Sequence, residues 1–462
     1  MAGIGFALRH LQKRDTLTAR SMAMTHAIVI VSGPWLLTVA SIFLINLLAR
    51  AFVEQAVVDT FRLAIYYAYA IAFIVSAPLL LVPIRLVADA FAANDFRPAR
   101  GYLAATFLFA GILSLTVSVM IFTGLTELAL ATALAASSCC VVLTLVFLAI
   151  TFCGAIKDYA AISRIFVVGL VVSVSLVVTA SYMQLDTAFL IAGFGGGLLL
   201  ILCGLVARIL ATFPADGVPL KSRFSELFNG FSRFPVLAVG AAVSGMAIWI
   251  DKLVIWFSPF GESFPNGLIH APIYDAPVFL AYLTIVPALS IFLINIETSF
   301  VDRYRRFYAA ISNGGTLRQI SELNRELSED TAGRLFVLTV VQLSIGLALA
   351  LIAPLIVAGL GLRFEQISVI RFALIGSAFH LTFIAATAIL LFSDRQRAFA
   401  VLQMLFLLLN GGLTALFAFY GKEYLGYGYM LACIISGLAA FYLTVGGLAG
   451  LTRHVFIPAE QR

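Results

Sequence analysis

Charged side chains are scarce in this chain of 462 residues: Asp, Glu, Lys and Arg make up 11% of it, against roughly 25% in soluble globular proteins. Hydrophobic residues fill 62%, and the mean hydropathy is +1.05. A soluble core cannot absorb such an excess, so lipid must solvate much of the surface. Long polar segments are also lacking, which leaves no room for a nucleotide-binding domain. With no GxxxxGK(S/T) run either, an ATPase built into the chain is excluded. The five cysteines are Cys139, Cys140, Cys153, Cys203 and Cys433. None has CxxC or zinc spacing, so they read as small apolar packing residues, not as disulfides or metal ligands. No cleavable signal peptide is evident, because the first apolar run begins near Ala27 behind a basic segment and lacks a small-residue cleavage site.

What is present is a series of apolar runs. A hydrocarbon layer about 30 Å thick needs roughly 20 residues of helix. Runs of that kind fall at 27–49, 63–87, 102–124, 127–151, 164–184 and 187–210, then at 235–258, 274–297, 335–360, 366–392, 399–420 and 426–450. The expected fold class is therefore an all-α membrane protein of about twelve transmembrane helices. An even number puts both termini on one side. That side collects 23 of the 29 Lys and Arg, so the positive-inside rule makes it cytoplasmic. The net charge of +6 is topology, not a nucleic-acid footprint.

The longest central polar break, 211–234, carries Pro214, Asp216, Gly217 and Pro219 and leaves six runs on either side. It reads as a linker between an N-terminal lobe, 27–210, and a C-terminal lobe, 235–450. Residues 1–26 suit an interfacial amphipathic helix, and 451–462 form a tail. The halves echo each other weakly: Pro78 precedes Asp89 in the second run as Pro287 precedes Glu297 in the eighth. Six-plus-six repeats with a path at their interface are a transporter design. The largest cytoplasmic segment is 298–334, where Thr316 and Gln319 suit a capping box. Leu317, Ile320, Leu323 and Leu327 then recur at helical spacing, marking a helix that lies on the membrane or bundle, or one that docks a partner.

Ionisable groups at membrane depth default to functional candidates. Asp251 and Lys252 interrupt the seventh run. Neighbours on a helix point about 100° apart, so the two need not pair, and each is expected to face a cavity or a partner from another helix; a structural ion pair is the plainer alternative. Arg85 and Asp89, at i and i+4, with Asn295 and Glu297 at the corresponding end of the eighth run, are candidates for a cytoplasmic gate or for ordinary anchoring. His380 reads as a proton relay or as a packing histidine. Ser32, Gly33, Pro34 and Trp35 break the first run, and such broken helices line transport paths. Tyr66, Tyr274, Asp275 and Tyr282 complete the path candidates, aromatics beside carboxylates suiting sugar surfaces as well as an interfacial belt. No residue set points to catalysis, a metal or a cofactor.

Several of these stretches together resemble the PelG family, the inner-membrane component of Pel exopolysaccharide export. They are Met1-Ala2-Gly3-Ile4-Gly5-Phe6, Ser32-Gly33-Pro34-Trp35, Asp251-Lys252, Tyr274-Asp275 through Phe279-Leu280-Ala281-Tyr282-Leu283, and Ile296-Glu297-Thr298-Ser299-Phe300. Ala7 departs from the family pattern, where an acidic residue is expected. The resemblance implies a flippase-like fold of the multidrug/oligosaccharidyl-lipid/polysaccharide superfamily, with two pseudo-repeated six-helix lobes. It implies export of a nascent polymer rich in N-acetylgalactosamine. Its implied partners are a cytoplasmic glycosyltransferase, a cyclic-di-GMP receptor and a membrane scaffold. The alternatives are a lipid-linked oligosaccharide flippase or cation-coupled small-molecule antiporter of the same superfamily, and, in another class, a membrane-embedded glycosyl-transferring enzyme.

Overall fold

The computed structural model describes residues 36–154, 156 and 158–456. The interfacial segment 1–26 and the Ser32-Gly33-Pro34-Trp35 break lie outside the described residues. Among those described, ten helices are long and apolar enough to cross a bilayer, or eleven if one bent pair counts as a span. A shorter apolar helix, Leu36–Ala49, stands at the position of the first run. The count of about twelve read from the sequence therefore agrees with the structure.

The chain divides into two compact units. The N-terminal unit runs to Trp249 and also takes in Glu262–His270. It contains α1 (Leu36–Ala49), α2 (Gln55–Ala92), α3 (Pro98–Gly124), α4 (Leu130–Gly154), α5 (Tyr159–Tyr182), α6 (Thr187–Thr212), α7 (Leu220–Arg233) and α8 (Pro235–Ala247). Between apolar helices in lipid there is little hydrophobic drive to associate, so close approach of small residues has to supply the packing. On α6, a Cβ added at Gly197 would stand 2.0 Å from Ser173 Oγ and 2.4 Å from the Gly169 carbonyl of α5. Ser173 Oγ also donates across this seam to the Phe194 carbonyl at 3.0 Å. The glycines thus set the α5–α6 distance, and the serine fixes its register.

The segment read as a linker, 211–234, contains α7, and α8 belongs to the N-terminal unit instead of opening the C-terminal one. α8 packs on α2, where a Cβ added at Gly245 would stand 2.6 Å from Ala77 Cβ, and α7 is held to α3 by an ionic clip around Arg223. The Arg223 guanidinium donates to Asp216 through Nε at 2.7 Å and Nη2 at 2.9 Å, and through Nη1 to Glu226 at 2.6 Å. Tyr102 of α3 donates to the same Glu226 at 2.8 Å and offers its ring to Arg223 at 5.3 Å. Gly101 leaves the room, since a Cβ there would meet Asp216 Oδ2 at 1.9 Å. Arg223 holds the Asp216 carboxyl below the usual carboxylate range. The chain then turns by 87° between α7 and α8, with Pro235 in the first turn of α8, where its missing N–H costs nothing.

A two-residue hairpin, β1 (Glu262–Ser263) and β2 (Ile269–His270), is also part of this unit. Tyr67 of α2 grips it, its hydroxyl donating to the Ile269 carbonyl at 2.6 Å and accepting from the Ile269 N–H at 3.1 Å. Gly267 turns the loop at φ +77°, a region where a side chain would be strained.

The C-terminal unit comprises Ile250–Gly261 and the chain from Ala271 onward. It contains α9 (Ile250–Trp256), α10 (Pro272–Asn295), a π-turn (Ile296–Phe300), α11 (Val301–Ser312), α12 (Leu317–Leu351), α13 (Ala353–Gly359), α14 (Gln366–Phe392), α15 (Gln396–Tyr420), α16 (Tyr427–Ala449) and α17 (Leu451–Phe456). The most buried of the long helices is α14, which packs against α10, α12 and α16. Thr316 caps α12 in the reciprocal box with Gln319 that the sequence indicates. Ile320 and Leu327 of the apolar face that follows turn inward while Leu317 stays exposed, and Asn324 and Ser328 donate to the Ala449 and Val445 carbonyls of α16. This part of 298–334 therefore lies on its own bundle.

Replacing Arg223 by Met takes the counter-ion from the partly buried Asp216, and should cost about 1.5–3 kcal/mol, the range for hydrogen bonds to a charged group. Because the folded Asp216 pKa is lowered, the clip's contribution is complete above the unfolded Asp value of about 3.9 and is lost as pH falls through the lower folded value. Thermal midpoints of the purified protein should therefore show an R223M penalty that is flat across neutral pH and shrinks only in strong acid.

Candidate functional site

The seventh apolar run is interrupted. α8 ends at Ala247, Trp249 N–H closes a turn on the Met246 carbonyl at 3.0 Å, and α9 starts afresh at Ile250. This break presents Asp251 and Lys252 to the interior of the C-terminal unit, where both side chains are buried, at 0% and 4% exposure. The two do pair: Lys252 Nζ lies 3.2 Å from each carboxylate oxygen of Asp251. An ideal helix separates adjacent side chains, but lysine's four-carbon stem bends its ammonium back over its neighbour. Each residue also meets another helix. Tyr274 of α10 donates to Asp251 Oδ2 at 2.8 Å, and the Lys252 ammonium stands over the Tyr282 ring at 4.9 Å. Moving two charges out of water costs several kcal/mol per ion, and these contacts offset that cost.

Around the pair lies a shell of buried polar groups. Asp275 accepts both from Trp256 Nε1, at 2.9 and 3.1 Å, and from the Ala271 N–H at 3.0 Å. Tyr282 meets His380 and Tyr429 edge-on, with ring centroids 5.5 and 5.7 Å away. His380 Nδ1 and the Tyr429 hydroxyl share a hydrogen bond of 2.9 Å. Of the path candidates named from the sequence, the structure thus brings together Asp251, Lys252, Tyr274, Asp275, Tyr282 and His380. Tyr66 belongs to the N-terminal unit, where its ring lies 5.2 Å from Trp249. Arg85 and Asp89 form the expected pair at 3.1 Å, both partly exposed. The side chains of Asn295 and Glu297 lie outside the described residues.

Trp256 and Tyr429 were not found from the sequence. Aromatics in apolar runs read as interfacial belt residues, and only the fold carries Trp256 to Asp275 and Tyr429 to His380. Removing the hydroxyl with Tyr274→Phe should cost about 1.5–3 kcal/mol, the range for a hydrogen bond to a charged group. The loss should shrink in an Asp251→Asn background, as a double-mutant cycle on thermal midpoints would measure.

The family model for PelG, an exopolysaccharide exporter (EPS-E), matches residues 1–456. No curated protein matches the chain. Among solved structures, a multidrug resistance MATE family transporter of the MOP superfamily in its outward-facing conformation is similar at a TM-score of 0.64 and 14% identity, covering 92% of this chain and 96% of that one. A MATE structure in the straight conformation gives 0.63 and 13%, covering 98% of each chain. A MOP superfamily transporter from Pyrococcus furiosus gives 0.61 and 14%, covering 97% of each. At such identities the likeness shows the fold alone.

Proposed function

The chain belongs to the PelG family of exopolysaccharide exporters, and we propose that it carries a nascent, N-acetylgalactosamine-rich polysaccharide of the Pel type across the bacterial inner membrane. It is a multi-pass membrane transporter, not an enzyme. The family match over nearly the whole sequence is the observation that supports the substrate reading. In this proposal a separate cytoplasmic glycosyltransferase makes the polymer, while a cyclic-di-GMP receptor and a membrane scaffold complete the complex. The concentration of Lys and Arg on one side of the apolar runs supports an orientation with both termini in the cytoplasm.

Within this reading the buried cluster of Asp251, Lys252, Tyr274, Tyr282 and His380 organises the C-terminal unit. Tyr66 and the Ser32–Trp35 break are the residues proposed to meet the solute, and Arg85, Asp89, Asn295 and Glu297 to gate it. The outward charged face of α12, with Arg318, Glu322 and Arg325 all exposed, is the proposed contact for the glycosyltransferase.

A clean deletion should stop polymer from reaching the cell surface while glycosyltransferase activity persists in extracts, and the plasmid-borne gene should restore secretion. Normal surface polymer in the deletion strain would overturn the proposal. Drug efflux by the protein alone in proteoliposomes under an ion gradient would replace it with the antiporter reading. A photo-crosslinker placed at Arg318 or Glu322 should capture the glycosyltransferase; an uncaptured enzyme would remove that contact surface.

A further inference from the structure

The groups that surround the Lys252 ammonium are those that would bind a small monovalent cation. They are a carboxylate presenting both oxygens at 3.2 Å, the face of Tyr282 at 4.9 Å, and a low-dielectric surround in which Asp251 has no exposed surface. Tyr274 donates a hydrogen bond to the carboxylate, which leaves that acid as the accepting, anionic partner. A carboxylate and an aromatic face that converge on one point attract a cation there through charge and quadrupole together. Here that cation is covalently attached, one residue away from the acid it neutralises.

We propose that the C-terminal unit holds a monovalent-cation site whose permanent occupant is the protein's own Lys252. The tethered ammonium denies Asp251 to an exchangeable ion. For Na+ to bind, two cations would share one buried carboxylate, or the ammonium would leave for apolar surroundings, and either leaves an uncompensated charge. Arginine would fill the place poorly, because its planar fork is larger than the compact ammonium that stands between one carboxylate and one ring. The titratable groups packed around the pair are Tyr274, Asp275 and Tyr282 on α10, His380 on α14, and Tyr429 and Cys433 on α16. The inference rests on this geometry alone and stands whether or not the transported solute is a polysaccharide.

The test uses the full-length protein purified in detergent, with thermal midpoints measured in NaCl and in choline chloride of equal ionic strength, across neutral to mildly acidic pH. The wild type should melt at the same temperature in both salts. Lys252→Met should melt lower in choline and recover with Na+ or with acid, since the unpaired buried carboxylate then takes up either cation. That recovery should vanish in the Asp251→Asn/Lys252→Met double variant, where no carboxylate remains. A Na+-dependent rise in the wild-type midpoint that Asp251→Asn removes would overturn the proposal, whether or not Lys252→Met folds. So would a folded Lys252→Met that responds to neither Na+ nor acid beyond the double variant.

Discussion

One ion pair sets the interior of the C-terminal unit. A carboxylate with no exposed surface, Asp251, is tolerated in an apolar bundle only if its charge is balanced and its lone pairs are used. Lys252 supplies the balance, and Tyr274 uses a lone pair. From this follows the position of Tyr282, whose ring faces the ammonium, and then of His380 and Tyr429, which pack on Tyr282. The helix break before Ile250 is part of the same arrangement, because restarting the helix there turns both charged side chains inward.

The N-terminal unit meets the same constraint differently. An ionic group around its buried Arg223, with Asp216 and a half-exposed Glu226, lies on the polar segment 211–234 and not within a long apolar helix. Its long helices are instead held by contacts of small residues, such as Gly197 against Gly169 and Ser173. Charge at depth, close backbone approach and interhelical hydrogen bonds all help helices in an apolar solvent acquire a specific register. The two units lean on them in different proportion.

Much of this was legible in the sequence, and what was not has identifiable causes. Apolar length alone locates the spans, because bilayer thickness imposes a minimum run. The Thr316–Gln319 box and the Arg85–Asp89 pair are local in sequence, so spacing finds them. The Asp216–Arg223 clip is nearly as local, yet in a polar break alternating charges look solvated, and nothing marks Arg223 as buried. Asp251 and Lys252 were recognisable as costly residues, but their pairing depends on lysine's side-chain conformation, which helical geometry does not constrain. Trp256 reaches Asp275 across a hairpin, and His380 reaches Tyr429 from another helix; such contacts belong to the fold and leave no trace in spacing. The family resemblance carried the substrate class, which none of these residues encodes.

A carboxylate neutralised by its own neighbour has a consequence for energetics. Moving a unit with a titrating or ion-exchanging acid through a transport cycle couples that motion to an ion gradient, because the ion binds one state better than another. A tethered ammonium binds at unit effective occupancy in every state in which the pair remains intact, so it contributes no differential affinity and cannot transmit a gradient through Asp251. Any ion coupling in a transporter built this way has to run through groups other than this carboxylate. The buried pair acts as a fixed strut, holding Tyr274 and Tyr282 of α10 against α9 in one arrangement.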